Sequence, residues 1–268
     1  MPQSAHPLPT FSPPMSPTLR IAVVSDIHGN LPALQAVLLD VARRGADIVV
    51  NCGDLVSGPL WPSETAELLM HHNWPTITGN HERQLLACAH LPGDAADRYA
   101  FDALTQPQRD WLARLPATSA PADDVRMVHG RPGSDVDYLL ETVTPDAGAL
   151  GARMATQREI AERLAGFEAP ALLLCGHSHQ PRVVNQGTTL IVNPGSVGLP
   201  AFDDDHGGIH IIETGGAHAR YALCERRAGR WSAALIAIDY DWDAAVTKAS
   251  AAGFQDWARW LATGRAHS

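Results

Sequence analysis

Apolar runs and amphipathic stretches alternate along the first third of the chain. Residues 19–24 form a short, mostly aliphatic run, which is typical of a buried strand. Asn30 predicts a helix N-cap, because Pro32 falls in the first turn and Gly45 follows the last apolar position of the stretch. The order strand–helix–strand–helix–strand predicts an α/β domain that begins with a parallel sheet. The later segments of this unit are strands over 47–52 and 76–78 and a helix over 62–72.

The pattern is less regular beyond residue 80, and it changes to short strands beyond residue 182. In the middle of the chain we predict helices over 82–90, 107–114 and 156–164 and strands over 125–128 and 171–175. Turns that contain glycine separate some of the short strands that follow, as in β-hairpins. These strands are expected over 189–192, 208–212, 220–224 and 232–238, and a helical tail with a break at Gly253 is expected over 242–261.

The first 18 residues differ in composition from the remainder of the chain. Residues 1–18 contain six prolines and no charged residue, which predicts a disordered Pro-rich extension. No internal repeat or linker interrupts the remainder. We therefore predict a single domain over residues 19–268 that includes the C-terminal helical tail.

Polar residues of a restricted set follow five of the predicted strands. In each case a glycine adjoins an Asp, Asn or His just beyond the strand, at the sheet edge where open α/β sheets bind ligands. The set comprises four imidazoles, two carboxylates and one amide, with no thiolate. Such donors are typical of sites for Mn, Fe, Zn, Ni or Co and not of structural zinc sites, which are rich in thiolate. Seven ligands exceed the needs of one ion and fit two ions if one carboxylate bridges them. The candidate ligands are Asp26, His28, Asp54, Asn80, His129, His177 and His179.

Composition narrows the possible partners and compartments. Of the 268 residues, 20 are Lys or Arg and 29 are Asp or Glu, so the formal charge is −9, which argues against nucleic acid and anionic membrane as partners. The four cysteines include no CxxC pair, which argues against a zinc ribbon or a redox dithiol. Neither a membrane-length apolar run nor a signal peptide is found, so a cytoplasmic location is expected. No GxxxxGK[ST] loop is present.

With these residues in view, the chain resembles the calcineurin-like binuclear metallophosphoesterase superfamily, and within it the small single-domain phosphodiesterases of bacteria and archaea. The DxH, GD, GNH, lone-His and GHxH motifs of that family are all present, and the phrases SDIHGNLPAL and NPGSVGLP also resemble this branch. The resemblance covers roughly residues 19–235. It implies a four-layer α-β-β-α sandwich, in which two mixed sheets face each other and helices cover their outer surfaces.

The resemblance also implies a role for each motif residue. Asp26, His28 and His179 would hold a first metal ion, and Asp54 would bridge it to a second ion held by Asn80, His129 and His177. His81 would face the substrate phosphate without binding metal, and Glu82 would orient His81. The implied cofactors are two divalent ions (Mn, Fe, Zn or Ni, with Mn favoured). The implied reaction is hydrolysis of a small phosphodiester by a metal-bridging hydroxide.

Three other functions stay open at this point. A catalytically silent protein-interaction scaffold of the same fold would be expected to have lost ligands, whereas all seven are present here. A phosphomonoesterase or a nuclease would use the same ligands, although the negative charge argues against a nuclease. Asp203 to Asp205 stand where relatives tend to have basic residues, and this run would repel polyanions if it faces the site. The expected partner is a small phosphoester substrate, with no membrane, and the oligomeric state is left open.

Overall fold

The structure is a computed structural model that describes residues 18–266. The predicted extension over residues 1–18 therefore lies outside the described residues except for Thr18, and the single domain over 19–268 stays a prediction. The N-terminal half contains β1 (Leu19–Val24), α1 (Leu31–Arg44), β2 (Ile48–Asn51), α2 (Pro62–His72), α3 (Asn80–Ala87), α4 (Ala95–Ala103), α5 (Gln106–Leu112), β3 (Ser119–Ala122) and β4 (Val125–Met127).

The C-terminal half is richer in strands and ends in two helices. A short 3-10 helix (Pro145–Leu150) lies between the first two strands of this half. The elements are β5 (Glu141–Val143), β6 (Ala152–Met154), α6 (Gln157–Arg163), β7 (Leu172–Leu174), β8 (Arg182–Gln186), β9 (Thr189–Asn193), β10 (Ala201–Asp204), β11 (His210–Glu213), β12 (Ala219–Arg227), β13 (Arg230–Ile238), α7 (Trp242–Ala251) and α8 (Gln255–Thr263).

Two main mixed sheets, flanked by helices, form the body of the molecule. The first has the order β13-β12-β1-β2, in which β1 runs parallel to β2 and antiparallel to β12. The second has the order β3-β4-β7-β9-β8, with β4, β7 and β9 parallel. The pairs β5–β6 and β10–β11 form two small separate sheets. The predicted fold class, α/β with two mixed sheets and helices outside them, is confirmed.

The side chains of β1 and β7 show how the layers are held together. Ile21 and Val23 belong to the core between the two sheets, where Leu174 of β7 also lies. Ala22 belongs instead to the core under α1, because successive strand residues point to opposite faces. Leu173 likewise faces α6 on the outer side of the second sheet. Both faces of the central strands are buried, which explains why these strands are continuous apolar runs rather than alternating ones.

The structure differs from the predicted elements in two places that bear on the site. The strand predicted over 76–78 is reduced to a single parallel bridge between Thr76 and Asn51, because the Thr78 N–H donates to the Pro116 carbonyl instead of continuing the pairing. Helix α4 was not predicted, although Asp94 accepts a hydrogen bond from the Ala96 N–H as an N-cap. Strands β3, β5, β6, β8 and β10 were also missed.

The last two helices pack together against the end of β10. Gly253, with a φ of 90°, separates α7 from α8, which is the predicted position of the break. Trp257 and Trp260 of α8 share a buried cluster with Ala245 of α7 and Ala201 of β10. The C-terminal helices therefore lie close to the strand ends that carry the site. Over residues 18–266, no helix combines the length and the apolar character needed to span a bilayer.

Candidate active site

The loops that follow the strands are joined by backbone hydrogen bonds. The Asp26 N–H donates to the Gly53 carbonyl (2.9 Å), which links the loop after β1 to the loop after β2. The Gly176 N–H donates to the His129 carbonyl (2.8 Å), and the Gly198 N–H donates to the Asp26 carbonyl (3.0 Å). These bonds hold the motif-bearing loops of both sheets in one framework. The motif side chains are therefore positioned by main chain that has little freedom to move.

Five of the seven candidate ligands have a left-handed backbone conformation. Non-glycine residues rarely adopt positive φ, because the Cβ atom then crowds the backbone, at a cost of about 1–2 kcal/mol per residue. Such strain persists only where the surroundings fix it, and it is typical of functional sites. The five residues, with their φ angles, are Asp26 (54°), His28 (51°), Asp54 (56°), His177 (68°) and His179 (52°).

The structure brings all seven candidate ligands together, in two groups that share one carboxylate. In the first group, potential ligand atoms of Asp26, His28, Asp54 and His179 lie within 4.8 Å of one another. In the second group, potential ligand atoms of Asp54, His129 and His177 also lie within 4.8 Å of one another. Oδ1 of Asn80 lies 3.1 Å from Nε2 of His129 and so joins the second group. Asp54 is therefore the residue common to both groups.

Each of the four imidazoles is held by a backbone carbonyl, and this fixes its tautomer. A carbonyl only accepts hydrogen bonds, so the ring nitrogen that faces it carries the proton and the other nitrogen of a neutral ring offers a lone pair. This arrangement is typical of metal-binding histidines. The bonds run from His28 Nδ1 to Ser57 O (3.0 Å), His129 Nδ1 to Cys52 O (2.7 Å), His177 Nε2 to Val136 O (2.9 Å) and His179 Nδ1 to Leu199 O (2.7 Å).

Electrostatics at the site favour neutral rings at His28 and His177 beside an ionised carboxylate at Asp54. Burial, followed by the neighbouring His179, lowers the pKa of His28 to about 3. Burial, followed by His129, lowers the pKa of His177 to about 4. Burial alone would raise the pKa of Asp54, but the surrounding imidazoles outweigh it and hold that pKa well below its usual value. At neutral pH these three groups are in the protonation states that bind metal ions. Burial lowers the pKa of His129, but Asp54 outweighs burial and raises that pKa to about 9, so this ring would release a proton when it binds a metal ion.

The donor set fits divalent metal ions. Nε2 of His28 and Nε2 of His179 lie 3.2 Å apart, and the carbonyl contacts leave a lone pair on each of them. Two lone pairs at this distance repel each other unless a cation lies between or beside them. Nε2 of His129 lies 3.0 Å from Oδ2 of Asp54, a contact that likewise requires a proton or a metal ion between the two atoms. Imidazole nitrogens with carboxylate and amide oxygens are ligands for metals such as Mn, Fe and Zn.

His81 lies beside the ligands and is held by a carboxylate that sequence reasoning missed. Its Nδ1 is 3.0 Å from Oδ1 of Asp97, and the same oxygen accepts a hydrogen bond from the Ser57 hydroxyl (2.6 Å). Asp97 is buried and belongs to α4, the helix that was not predicted. Burial alone would lower the pKa of His81, but Asp54 and then Asp97 outweigh burial and raise that pKa to about 10. The N-cap signal at Asp94 and the spacing of Ala96 and Ala100 could have pointed to this helix.

Glu82 does not orient His81, contrary to the sequence expectation. Neighbouring residues of a helix project about 100° apart, so the two side chains diverge. The Glu82 carboxylate instead accepts hydrogen bonds from the N–H groups of Asp54 (2.9 Å), Leu55 (2.7 Å) and Gly79 (2.7 Å). It therefore ties the loop after β2 to the start of α3. Burial, and then the charge of Asp54, raise the pKa of Glu82 to about 7.

The candidate ligands open into a cavity of about 800 Å³. The run from Asp203 to Asp205 lines this cavity, so these carboxylates do face the site. Arg83 is the only Lys or Arg among the described lining residues, and its guanidinium binds both carboxylate oxygens of Asp135 (2.7 and 2.9 Å). The walls of the cavity therefore carry a net negative charge outside the metal-binding residues.

Comparison with known proteins agrees with this geometry. A family model described as the calcineurin-like phosphoesterase superfamily domain matches residues 19–216, which is most of the chain. The chain belongs to the calcineurin-like phosphoesterase superfamily. It is a metal-dependent hydrolase of phosphoester bonds. Helices α7 and α8 of this phosphoesterase lie beyond the matched residues.

Relatives of the phosphoesterase come from archaea and bacteria. An uncharacterised protein of Methanocaldococcus jannaschii is 28% identical over 207 residues, which are 67% of this chain and 76% of that protein. A crystal structure of a metallophosphoesterase from Sphaerobacter thermophilus is similar with a TM-score of 0.68 and 22% identity, over 92% of this chain and all of that one. A hypothetical protein from Pyrococcus horikoshii has a TM-score of 0.71 and 18% identity, over 92% and 98% of the two chains. The two solved structures share the fold of this phosphoesterase.

Replacing Glu82 by Gln should destabilise the phosphoesterase. Both carboxylate oxygens accept backbone N–H groups, so an amide would place an NH₂ donor against at least one of these donors. An unsatisfied buried donor costs about 1–3 kcal/mol, and we expect a loss of that size in urea denaturation with chelator present. Glu159→Gln is the matched control, because Glu159 holds the same capping-box position on α6 but is partly exposed, so a smaller loss is expected. A fully stable Glu82→Gln protein with reduced turnover would indicate that Glu82 acts in catalysis.

Proposed function

We propose that the phosphoesterase hydrolyses a small phosphodiester with two divalent ions. Asp26, His28 and His179 would hold one ion, Asn80, His129 and His177 would hold the other, and Asp54 would be a ligand of both. The observation that carries the proposal is the position of Asp54 in both groups of donors. When bound, two such ions polarise the phosphoryl group, lower the pKa of coordinated water and stabilise the charge that develops on the attacking and leaving oxygens. Manganese is favoured because the donors are nitrogen and oxygen without thiolate.

His81 would act directly on the substrate. Its backbone N–H donates to Oδ1 of Asp54 (3.0 Å), and its Nδ1 is held by Asp97. Nε2 is then the ring nitrogen left for the substrate in the cavity. From this position His81 would donate a hydrogen bond to the phosphoryl group or a proton to the leaving oxygen. Asp97 would act through His81 by fixing the ring, and is therefore a positioning residue.

The charge of the cavity walls favours a diester over a monoester. A diester carries one negative charge, whereas a phosphate monoester carries between one and a half and two near pH 7. Asp94 and the run from Asp203 to Asp205 line the cavity, and Arg83 is already bound to Asp135. Each added negative charge on the substrate therefore meets further repulsion. The same walls disfavour a polyanion such as nucleic acid.

Chelation followed by metal addition tests the reaction class. The metal-stripped protein should be inactive, and Mn²⁺ should restore turnover of bis(p-nitrophenyl) phosphate with a kcat/KM at least about tenfold above that of p-nitrophenyl phosphate, since roughly one added charge must overcome the acidic walls. Released p-nitrophenol and bound metal, measured by mass spectrometry, give the two readouts. Undiminished turnover by protein shown to hold no metal would contradict the proposal, and inactivity of the Mn²⁺-loaded protein towards both esters would contradict it as well.

Replacing Asp97 by Asn should impair proton donation by His81 more than metal binding. We expect the loss of kcat to be at least about tenfold larger for a diester with a poor leaving group, phenol, than for one with a good leaving group, p-nitrophenol, because only the poor one depends on a proton donor. Asp102→Asn is the control, since Asp102 lies on the same helix but at the surface. Metal content should be unchanged in both variants. An equal loss for the two leaving groups would show that Asp97 only supports the fold.

A further inference from the structure

One wall of the cavity is aromatic and includes residues beyond residue 216, where the match to the family model ends. Phe202 of β10 is partly exposed and lines the cavity, and its ring centroid lies 4.7 Å from that of His179. Behind it lie Trp257 and Trp260 of α8, which are 9% and 8% exposed and also line the cavity. Phe202 packs against the cluster that these tryptophans form. We refer to Phe202, Trp257 and Trp260 as the aromatic wall.

The aromatic wall lies next to the first group of ligands rather than next to His81. The ring of His28 contacts His179 on one hand and His81 on the other, with centroid distances of 5.0 and 5.2 Å. Phe202 packs on His179, and Trp257 lies 5.9 Å from His28. The ring contacts thus run from Phe202 through His179 and His28 to His81, and none joins Phe202 directly to His81 within residues 18–266. A group that rests on Phe202 is therefore not the group that leaves.

The backbone is shaped to let α8 approach the ligands. Gly58 has a φ of 139°, and a Cβ atom there would lie 2.7 Å from the Trp257 ring and 2.9 Å from the His28 carbonyl oxygen. Only glycine fits this position, so the tryptophan and the loop after β2 are in direct contact. Two buried tryptophans behind a partly exposed phenylalanine give a rigid apolar surface, which loses little conformational entropy when a ligand covers it.

The residues that follow Phe202 limit the charge of whatever rests there. Asp203 and Asp205 are exposed, they line the cavity, and neither has an ion pair within residues 18–266. Arg131 is bound to Asp137, which also contacts His206. Arg83, the only Lys or Arg among the described lining residues, is bound to Asp135 rather than to Asp203 or Asp205. A second anionic group on the substrate would meet these carboxylates directly.

We propose that the aromatic wall binds the ester group that the phosphodiester retains, and that this group is flat, aromatic and free of negative charge. The substrate class is thus a singly charged phosphodiester with one aromatic or heteroaromatic ester group. This inference rests on the proposed function, because the metal-binding residues must hold the phosphate for the retained group to reach Phe202. Its P–O bond stays intact while the opposite ester bond is cleaved.

A series of p-nitrophenyl diesters tests the inference with the Mn²⁺-loaded full chain. The leaving group is constant and the retained group is methyl, benzyl or cyclohexylmethyl, in which a methylene keeps the ring electronically apart from phosphorus. We expect kcat/KM for the benzyl ester to exceed that for the methyl ester by about tenfold, from partial burial of one ring. The cyclohexylmethyl ester should fall below the benzyl ester, because it is apolar but not flat. Equal values for benzyl and cyclohexylmethyl would overturn the preference for a flat group.

Substitution of Phe202 tests whether this wall is the cause. Phe202→Leu should lower the benzyl-to-methyl ratio of kcat/KM by about three- to tenfold, the size of one aromatic pair. Trp257→Leu, on a separate element, should lower the same ratio and serves if the first variant does not fold. Phe167→Leu is the control, because Phe167 borders a separate cavity on the far side of the second sheet and should leave the ratio unchanged. An equal fall in kcat/KM for the benzyl ester and for the methyl ester, which preserves their ratio, would overturn the role assigned to Phe202.

A negative charge on the retained group tests whether that group must be free of charge. A 4-carboxybenzyl ester should be cleaved at least about fivefold less efficiently than the benzyl ester at low ionic strength, and the gap should shrink at high salt or when Asp203 and Asp205 are both replaced by Asn.

Cleavage of the methyl and benzyl esters with equal kcat/KM would overturn the inference and leave the proposed phosphodiesterase function intact. Absence of Mn²⁺-dependent cleavage of every ester would overturn both.

Discussion

The carboxylate of Asp54 is the group on which the arrangement of the site depends. It lies 3.0 Å from Nε2 of His129 and 4.0 Å from Nε2 of His28, which belong to different donor groups. Backbone carbonyls hold Nδ1 of both rings, so Nε2 of each ring faces this shared negative charge. Such a set of buried acceptors is costly without cations and favourable with them. Metal-dependent phosphoester hydrolysis follows from this concentration of lone pairs at the edge of the sheets.

Keeping that arrangement requires backbone that is strained and yet fixed. Asp54 itself has a φ of 56°, and its N–H is held by the carboxylate of Glu82. The same carboxylate holds the N–H of Gly79, where any Cβ atom would lie 2.1 Å from Oδ1 of Asp54. Glycine at this position lets α3 begin directly beside the ligands. Glu82 thus contributes to the site by joining two loops, and the positive φ angles persist because the surrounding hydrogen bonds leave no alternative.

The residues that sequence reasoning could predict are those set by local order along the chain. The order of strands and motifs places Asp26 at the end of β1 and His177 at the end of β7. Because these strands belong to different sheets, the packing of the two sheets brings the residues together. Asp97 could not be found in this way, because it reaches His81 through the packing of α4 on α3 and no local pattern encodes that contact. The family resemblance assigned Glu82 to His81, and helical geometry sends the two side chains in different directions. The aromatic wall is likewise tertiary, since Phe202 and Trp257 meet only through the folding of the C-terminal helices.

The C-terminal helices and the loops that carry the candidate ligands therefore line one cavity. The proposed role of Asp54 as a ligand of two metal ions is tested most directly by anomalous diffraction from crystals soaked in Mn²⁺. We expect two manganese peaks on either side of the Asp54 carboxylate, one beside His28 and His179 and the other beside His129 and His177. A single peak, or two peaks that do not share Asp54, would contradict it.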